Sequence, residues 1–201
     1  MQPTRRREKA KPIRLVTKRF VLRSLRPEDA KKPFLDWVAD PEVMGPLNQE
    51  VDDNPRREVW AASIADCDGI NRFQIGIFTR RTGDFIGVYY VTMDWENRNG
   101  LFSVMIGDKA YWGDKVVLET RAALLDHFFL QRGMEKAVGR PPARNIPSVF
   151  NYKAEGWRLE GVLKGQIRSI DDGSRLDQYE FGLLKEEWLE LRESIVGDGG
   201  V

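Results

Sequence analysis

The chain has little of what many catalytic or stapled folds rely on. One cysteine, Cys67, in 201 residues excludes an intramolecular disulfide. Its neighbours Asp66 and Asp68 would raise the thiol pKa, which disfavours a nucleophile. One histidine, His127, leaves no Cys/His cluster with metal-ligand spacing, so no metal site is expected. His127 lies in the apolar run Leu124-Leu125-Asp126-His127-Phe128-Phe129, where a core or interface role is expected rather than a Ser-His-Asp mechanism. The formal net charge is +1, from 32 basic and 31 acidic side chains, which gives no reason to expect nucleic acid or a membrane surface as partner. No apolar run reaches a membrane span and the N-terminus lacks a signal-peptide core, so a cytoplasmic location is expected. What the chain does have, 41% hydrophobic and 31% charged residues, describes an ordinary globular domain with a sizeable core.

Residues 1–12, with Arg5, Arg6, Arg7, Lys9 and Lys11, read as a flexible basic arm. Residues 13–195 read as one domain and 196–201 as a flexible glycine-rich tail. A β-ribbon with one bend is expected over 13–25, followed by a helix opened by Pro27, Glu28 and Asp29 and ending before Asp40-Pro41. A loop over 41–55 precedes a second helix over 56–66. Three strands then form an antiparallel meander over 73–78, 85–91 and 101–106, turning at Thr82-Gly83-Asp84 and at Asn97-Arg98-Asn99-Gly100. The helix over 113–131 stripes Val116, Val117, Thr120, Leu124, His127 and Phe128, with Gly133 as its C-cap. Residues 136–139 suit one more strand, parallel to the strand before the helix as a crossover demands. A helix capped by Asn145, a hairpin over 157–170 and 176–184, and a short helix over 186–195 complete an α+β domain.

Two units carry chemistry. In the first, the strand ending Val104-Met105-Ile106 turns through Trp112-Gly113-Asp114-Lys115 into the helix that begins Val116-Val117. The first-turn N–H groups have no partners there and the helix dipole points its positive end at the same spot, an arrangement that suits a phosphate. In the second unit Asn145, Ser148 and Tyr152, spaced by three and four, put an amide, a hydroxyl and a phenol on one helix face.

Together the two units resemble the GNAT N-acetyltransferase superfamily, and most closely its ribosomal-protein-alanine acetyltransferase-like branch. The same branch is resembled by Arg19-Phe20-Val21-Leu22-Arg23 with Pro27-Glu28-Asp29-Ala30, Ile86-Gly87, Asp94-Trp95-Glu96-Asn97-Arg98, Tyr111-Trp112-Gly113, Gly156-Trp157 and Glu160-Gly161. The resemblance implies a mixed, mostly antiparallel twisted sheet flanked by helices. It also implies acetyl-CoA as co-substrate, a small-molecule amine or a peptide N-terminus as acceptor, and a monomer or homodimer. It assigns the pantetheine arm to the strand Val104, Met105 and Ile106, and the pyrophosphate to Trp112, Gly113, Asp114, Lys115, Val116 and Val117. Asn145 and Ser148 would lie by the pantetheine, and Tyr152 would protonate the departing thiolate.

Two positions depart from that pattern. Lys115 stands where a second glycine is usual, and Leu101 stands where the branch commonly has a glutamate, with Ser103 in place of a glycine. Leucine takes no proton, so Asp94 and Glu96 become the candidate bases. Besides a catalytic N-acetyltransferase acting on a sugar-nucleotide amine, amino acid, aromatic amine or protein N-terminus, two readings stay open: a non-catalytic acyl-CoA-binding sensor, and an interaction module that has lost CoA.

Overall fold

In this computed structural model residues 11–199 are described, with side chains to residue 192. Residues 1–10 of the expected basic arm and 200–201 of the expected tail lie outside them. Eight strands form one sheet in the order β1-β2-β3-β4-β5-β6-β8-β7. They are β1 (Arg14–Val16), β2 (Phe20–Ser24), β3 (Arg72–Thr79), β4 (Phe85–Asp94), β5 (Asn99–Ile106), β6 (Lys136–Gly139), β7 (Arg158–Arg168) and β8 (Arg175–Leu184). Every neighbouring pair is antiparallel except β5–β6, which the crossover through α4 (Val116–Asp126) makes parallel.

That parallel pair is short. Asn99, Gly100 and Leu101 pair with Lys136, Ala137 and Val138, and there the pairing stops. Beyond it β5 runs on to Ile106 with only β4 beside it, so the sheet is split between β5 and β6.

Helices cover the two faces unequally, because alternate strand residues point opposite ways. On one face Phe73, Ile75, Ile77, Tyr89, Val91 and Phe102 pack with Val116, Leu124, Phe128, Val149 and Trp188, from α4, α5 (Ile146–Ala154) and α6 (Lys185–Gly199). On the other, Leu25, Phe85, Val88 and Met105 pack with Phe34, Trp37 and Val38 of α1 (Lys32–Val38), Val43 and Met44 of α2 (Pro41–Met44), and Ile64 of α3 (Arg57–Ala65). Gly107 matters to that packing, since Trp37 occupies the space its Cβ would fill.

Several boundaries differ from the sequence reading. The first expected helix splits into a 3₁₀ turn at Pro27–Asp29 and α1. The turn is held by the Asp29 carboxylate, which accepts from the Arg26 N–H and from Arg23. The expected 41–55 loop contains α2, opened by Pro41 and capped by Asp40, and a 3₁₀ turn at Gly45–Leu47. After α4 the chain loosens into a π turn, His127–Gln131, and α6 runs to Gly199 rather than to residue 195. His127 bonds Gln131 and Cys67 is half-buried with its thiol pushed up by burial, so neither joins a reactive cluster.

Candidate functional site

A cavity of about 820 Å³ follows the split. Its walls are the end of β5, the turn from Tyr111 into α4, one side of α5, and Val43, Pro46 and Leu47. Eleven of the residues singled out from the sequence line it: Val104, Met105, Ile106, Trp112, Gly113, Asp114, Lys115, Val116, Val117, Asn145 and Ser148.

The open edge of β5 is specific in what it leaves free. Alternation along a strand points the peptide groups of Phe102, Val104 and Ile106 to the edge away from β4. The Phe102 carbonyl accepts from the Tyr152 phenol at 3.1 Å, and the Ile106 carbonyl accepts from the Trp112 indole N–H at 2.8 Å. Between these occupied carbonyls, the Val104 peptide faces the split with no strand beside it.

The turn into α4 combines two left-handed residues, Gly113 at φ 78° and Lys115 at φ 53°. This explains why glycine is usual at both places: an L-residue costs about 1–2 kcal/mol in that region. Lys115 is the N-cap of α4, and its side chain is exposed. The first-turn N–H groups of α4 have no intrahelical acceptors and add the positive end of the helix dipole. Negative charge close by is already matched. Glu119 accepts from Thr17 Oγ1 at 2.6 Å, the Arg19 N–H at 2.8 Å and Arg19 Nε at 2.6 Å, and Asp114 pairs with Arg19 at 2.8 Å. Burial alone would raise the Glu119 pKa, but those three donors hold it below the ordinary glutamate value. A second cleft, lined by Lys18, Arg19, Arg80 and Arg81, reaches the turn at Tyr111 and Asp114, so cationic side chains flank the seat.

Asn145 lines the cavity, but its amide is used within the protein. Oδ1 caps α5 by accepting the Ser148 N–H at 3.1 Å, and Nδ2 donates to the Pro46 carbonyl at 2.9 Å. This bond and those from Arg144 and the Ile170 N–H to Asn48 Oδ1 strap residues 46–48 across the end of the split.

Tyr152 is placed beside the cavity rather than in its lining. It is 3% exposed, stacked on Phe181 and edge-on to Trp157, with the Arg121 guanidinium 4.3 Å above its ring. Burial raises the phenol pKa, and Arg121 offsets only part of that. Its hydroxyl nonetheless reaches the carbonyl of the first β5 residue beyond the parallel pairing, at the apex of the split. The Arg121–Glu155 pair beneath it, 2.8 Å apart and 1% exposed at each side chain, was not singled out from the sequence. The available signal was one arginine inside the apolar stripe of α4.

The two expected bases are not brought to the cavity. Asp94 ends β4 and commits its carboxylate to the Asn97 N–H and side-chain amide, which hold its pKa below the usual aspartate value. Glu96 lies in the following turn. The β4–β5 hairpin puts both at the opposite end of β5 from the turn into α4. Among the described residues no group of three or more His, Cys, Asp or Glu side chains could hold a metal ion, and no helix is long and apolar enough to cross a membrane.

Comparison with known proteins matches this architecture. Residues 19–156 fit the family model of the acetyltransferase (GNAT) domain. No curated protein sequence matches. Among solved structures, a T. thermophilus protein that carries acetyltransferase as a provisional name is 26% identical, with a TM-score of 0.76 over 94% of this chain and 98% of that chain. Two further structures share the fold at lower identity. Spermidine N-acetyltransferase from Vibrio cholerae, solved with CoA and spermine, is 16% identical (TM-score 0.74, 85% and 98% covered). Ribosomal-protein-S5-alanine acetyltransferase from Vibrio fischeri is 14% identical (TM-score 0.72, 88% and 98% covered). With a family model covering most of the chain and acetyltransferases of the same fold among the solved structures, the protein belongs to the GNAT family and is an acetyl-CoA-dependent N-acetyltransferase.

Proposed function

We propose that the protein transfers the acetyl group of acetyl-CoA to the primary amine of a small molecule or to a peptide N-terminus, by direct attack within a ternary complex. The observation that carries this reading is the convergence of β5, the Trp112–Lys115 turn and α5 on one cavity at the split. In this reading the pyrophosphate is held by the N–H groups opening α4, helped by Lys115, and the pantetheine arm pairs with the free Val104 peptide. Tyr152 supplies the proton to the sulfur after its hydroxyl turns from the Phe102 carbonyl. Amines of the kinds named by the neighbouring structures, a polyamine and an alanine of a ribosomal protein, head the acceptor panel.

Calorimetric titration with acetyl-CoA tests the cavity assignment: saturable binding supports it, and absence of binding removes it. A free-CoA release assay across a panel of primary amines then tests turnover. Binding without release from any amine would favour the acyl-CoA sensor, a reading to which the enclosed phenol of Tyr152 and the leucine at position 101 lend weight.

A further inference from the structure

On the face of the sheet opposite α4 and α5, the α1–α3 cluster takes in Val88 and Met105 and packs against Tyr90. Across the split, Arg140 is exposed and Glu180 half-buried on this face. Ser103 points to this face, because Phe102 points to the other and Met105 joins the α1–α3 cluster. Ser103 is exposed and forms one lip of the split. The other lip follows from the register of β6 and β8. Gly139 opposes Phe181, and the Tyr179 N–H donates to the Pro141 carbonyl, so Arg140 stands opposite Glu180. Phe181 stacks on Tyr152, which sends its neighbour Glu180 to the same face as Ser103. Arg140 Nε meets Glu180 Oε2 at 2.7 Å, and no hydrogen bond to Oε1 is made among the described residues.

Ser103, Arg140 and Glu180 therefore lie in one row across the split, two residues beyond the last β5–β6 pair, Leu101 and Val138. Glu160 also lies on this face. It lies over Gly182, in the row of Leu101 and Val138 where the sheet is still closed, and it is paired with Lys136.

We propose that the acceptor is an alkylamine that arrives on this face, and that Glu180 is the base that deprotonates it. The inference rests on the acetyl-transfer reading above. An alkylammonium has no lone pair at neutral pH, its pKa being near 10. Glu180 Oε1 takes one proton, directly or through one water, and the freed amine attacks the thioester carbon. As the N–C bond forms and the C–S bond breaks, Tyr152 protonates the departing sulfur and takes back the second N–H proton, giving amide and thiol. The carboxyl group then returns its proton to water, so the net reaction releases one proton. Arg140 is a positioning residue that fixes Oε2 and leaves Oε1 for the amine. Leu101 thus needs no replacement on its own strand; the carboxylate comes from across the split.

The test measures kcat/KM by free-CoA release between about pH 6 and 10, with an alkylamine found by the panel and with an arylamine that is neutral throughout. Glu180→Gln is expected to lose on the order of 10²-fold with the alkylamine near neutrality, with the deficit shrinking as pH approaches the amine pKa. Arylamine turnover and the acetyl-CoA Kd stay at wild-type values. Glu180→Asp recovers part of the rate, and Arg140→Gln lowers alkylamine kcat/KM while Arg140→Lys, which keeps a cation beside Oε2, restores part of it. A deficit that is constant with pH, one shared by the arylamine, or no deficit at all would overturn the proposal, as would finding the pH-dependent loss in Asp94→Asn instead. A wild-type protein that releases CoA with no amine would sink the acetyl-transfer reading itself, and this base with it.

Discussion

The two faces of the split sheet hold their charges in opposite ways. On the α4/α5 face the pair Arg121–Glu155 is sealed, 1% exposed on each side chain, and roofed by the rings of Tyr152 and Trp157. On the opposite face Arg140–Glu180 is open, at 48% and 26% exposure. A sealed pair has bought its geometry with desolvation, so its loss falls on folding, whereas an open pair contributes little to stability and its carboxylate can exchange protons with a ligand. One face holds its ion pair fixed in the interior, and the other leaves it within reach of solvent.

The sharpest way to break that contrast is to remove one partner from each pair. Arg121→Met leaves the Glu155 carboxylate buried and unpaired, and the expected cost is about 3–5 kcal/mol in denaturant unfolding. Glu155 is already pushed up to about 7 by burial, against the pull of Arg121. Adding Glu155→Gln should therefore return part of the loss. Arg140→Met on the open face should cost no more than about 1 kcal/mol. Equal losses would remove the contrast.

Tyr152→Phe asks whether the sealed face also does chemistry. Removing the hydroxyl strips the buried Phe102 carbonyl of its donor, for about 1–3 kcal/mol. A proton-donating role further requires that kcat fall strongly while the acetyl-CoA Kd holds. Lost stability with unchanged kcat would leave Tyr152 as a packing residue.

Glu119→Gln tests the tie between the β1–β2 turn and the start of α4. Charge-assisted bonds of this kind contribute about 1.5–3 kcal/mol, discounted here because Arg19 is partly exposed. The Glu119 pKa is depressed in the fold, so its stabilisation is present above the unfolded glutamate value and is lost as pH falls through the folded one. Wild type should lose stability in that acid window, and Glu119→Gln should lose less of it, as followed by thermal unfolding against pH.

The face that grips was the legible one. Strand alternation, the glycine turn and the 3–4 spacing of Asn145, Ser148 and Tyr152 are local patterns, and all eleven expected co-substrate residues line one cavity. The side proposed for the acceptor could not be read that way. Glu180 meets the split only through the register of β6 with β8, strands separated by a helix and the whole of β7. Asp94 and Glu96 drew attention because they sit near β5 in sequence, yet the hairpin carries them to its far end. Asn145 was legible as a cap but not as the anchor of residues 46–48, a contact about a hundred positions away.

The smallest expected effect concerns Lys115, the one departure within the legible region. Its φ of 53° imposes the left-handed cost of about 1–2 kcal/mol, and glycine would relieve it while adding about 0.5–1 kcal/mol of chain entropy to the unfolded state. Lys115→Gly should therefore raise stability by no more than about 1.5 kcal/mol. If the lysine is kept at that cost because its ammonium meets the pyrophosphate, acetyl-CoA should bind the variant more weakly, and the difference should fade as salt screens the charge. If the Cβ crowds the phosphate instead, the variant should bind more tightly at every ionic strength. A Kd series over salt for Lys115→Gly, with Lys115→Ala to keep the Cβ without the charge, separates the two, because only charge loss weakens both variants alike.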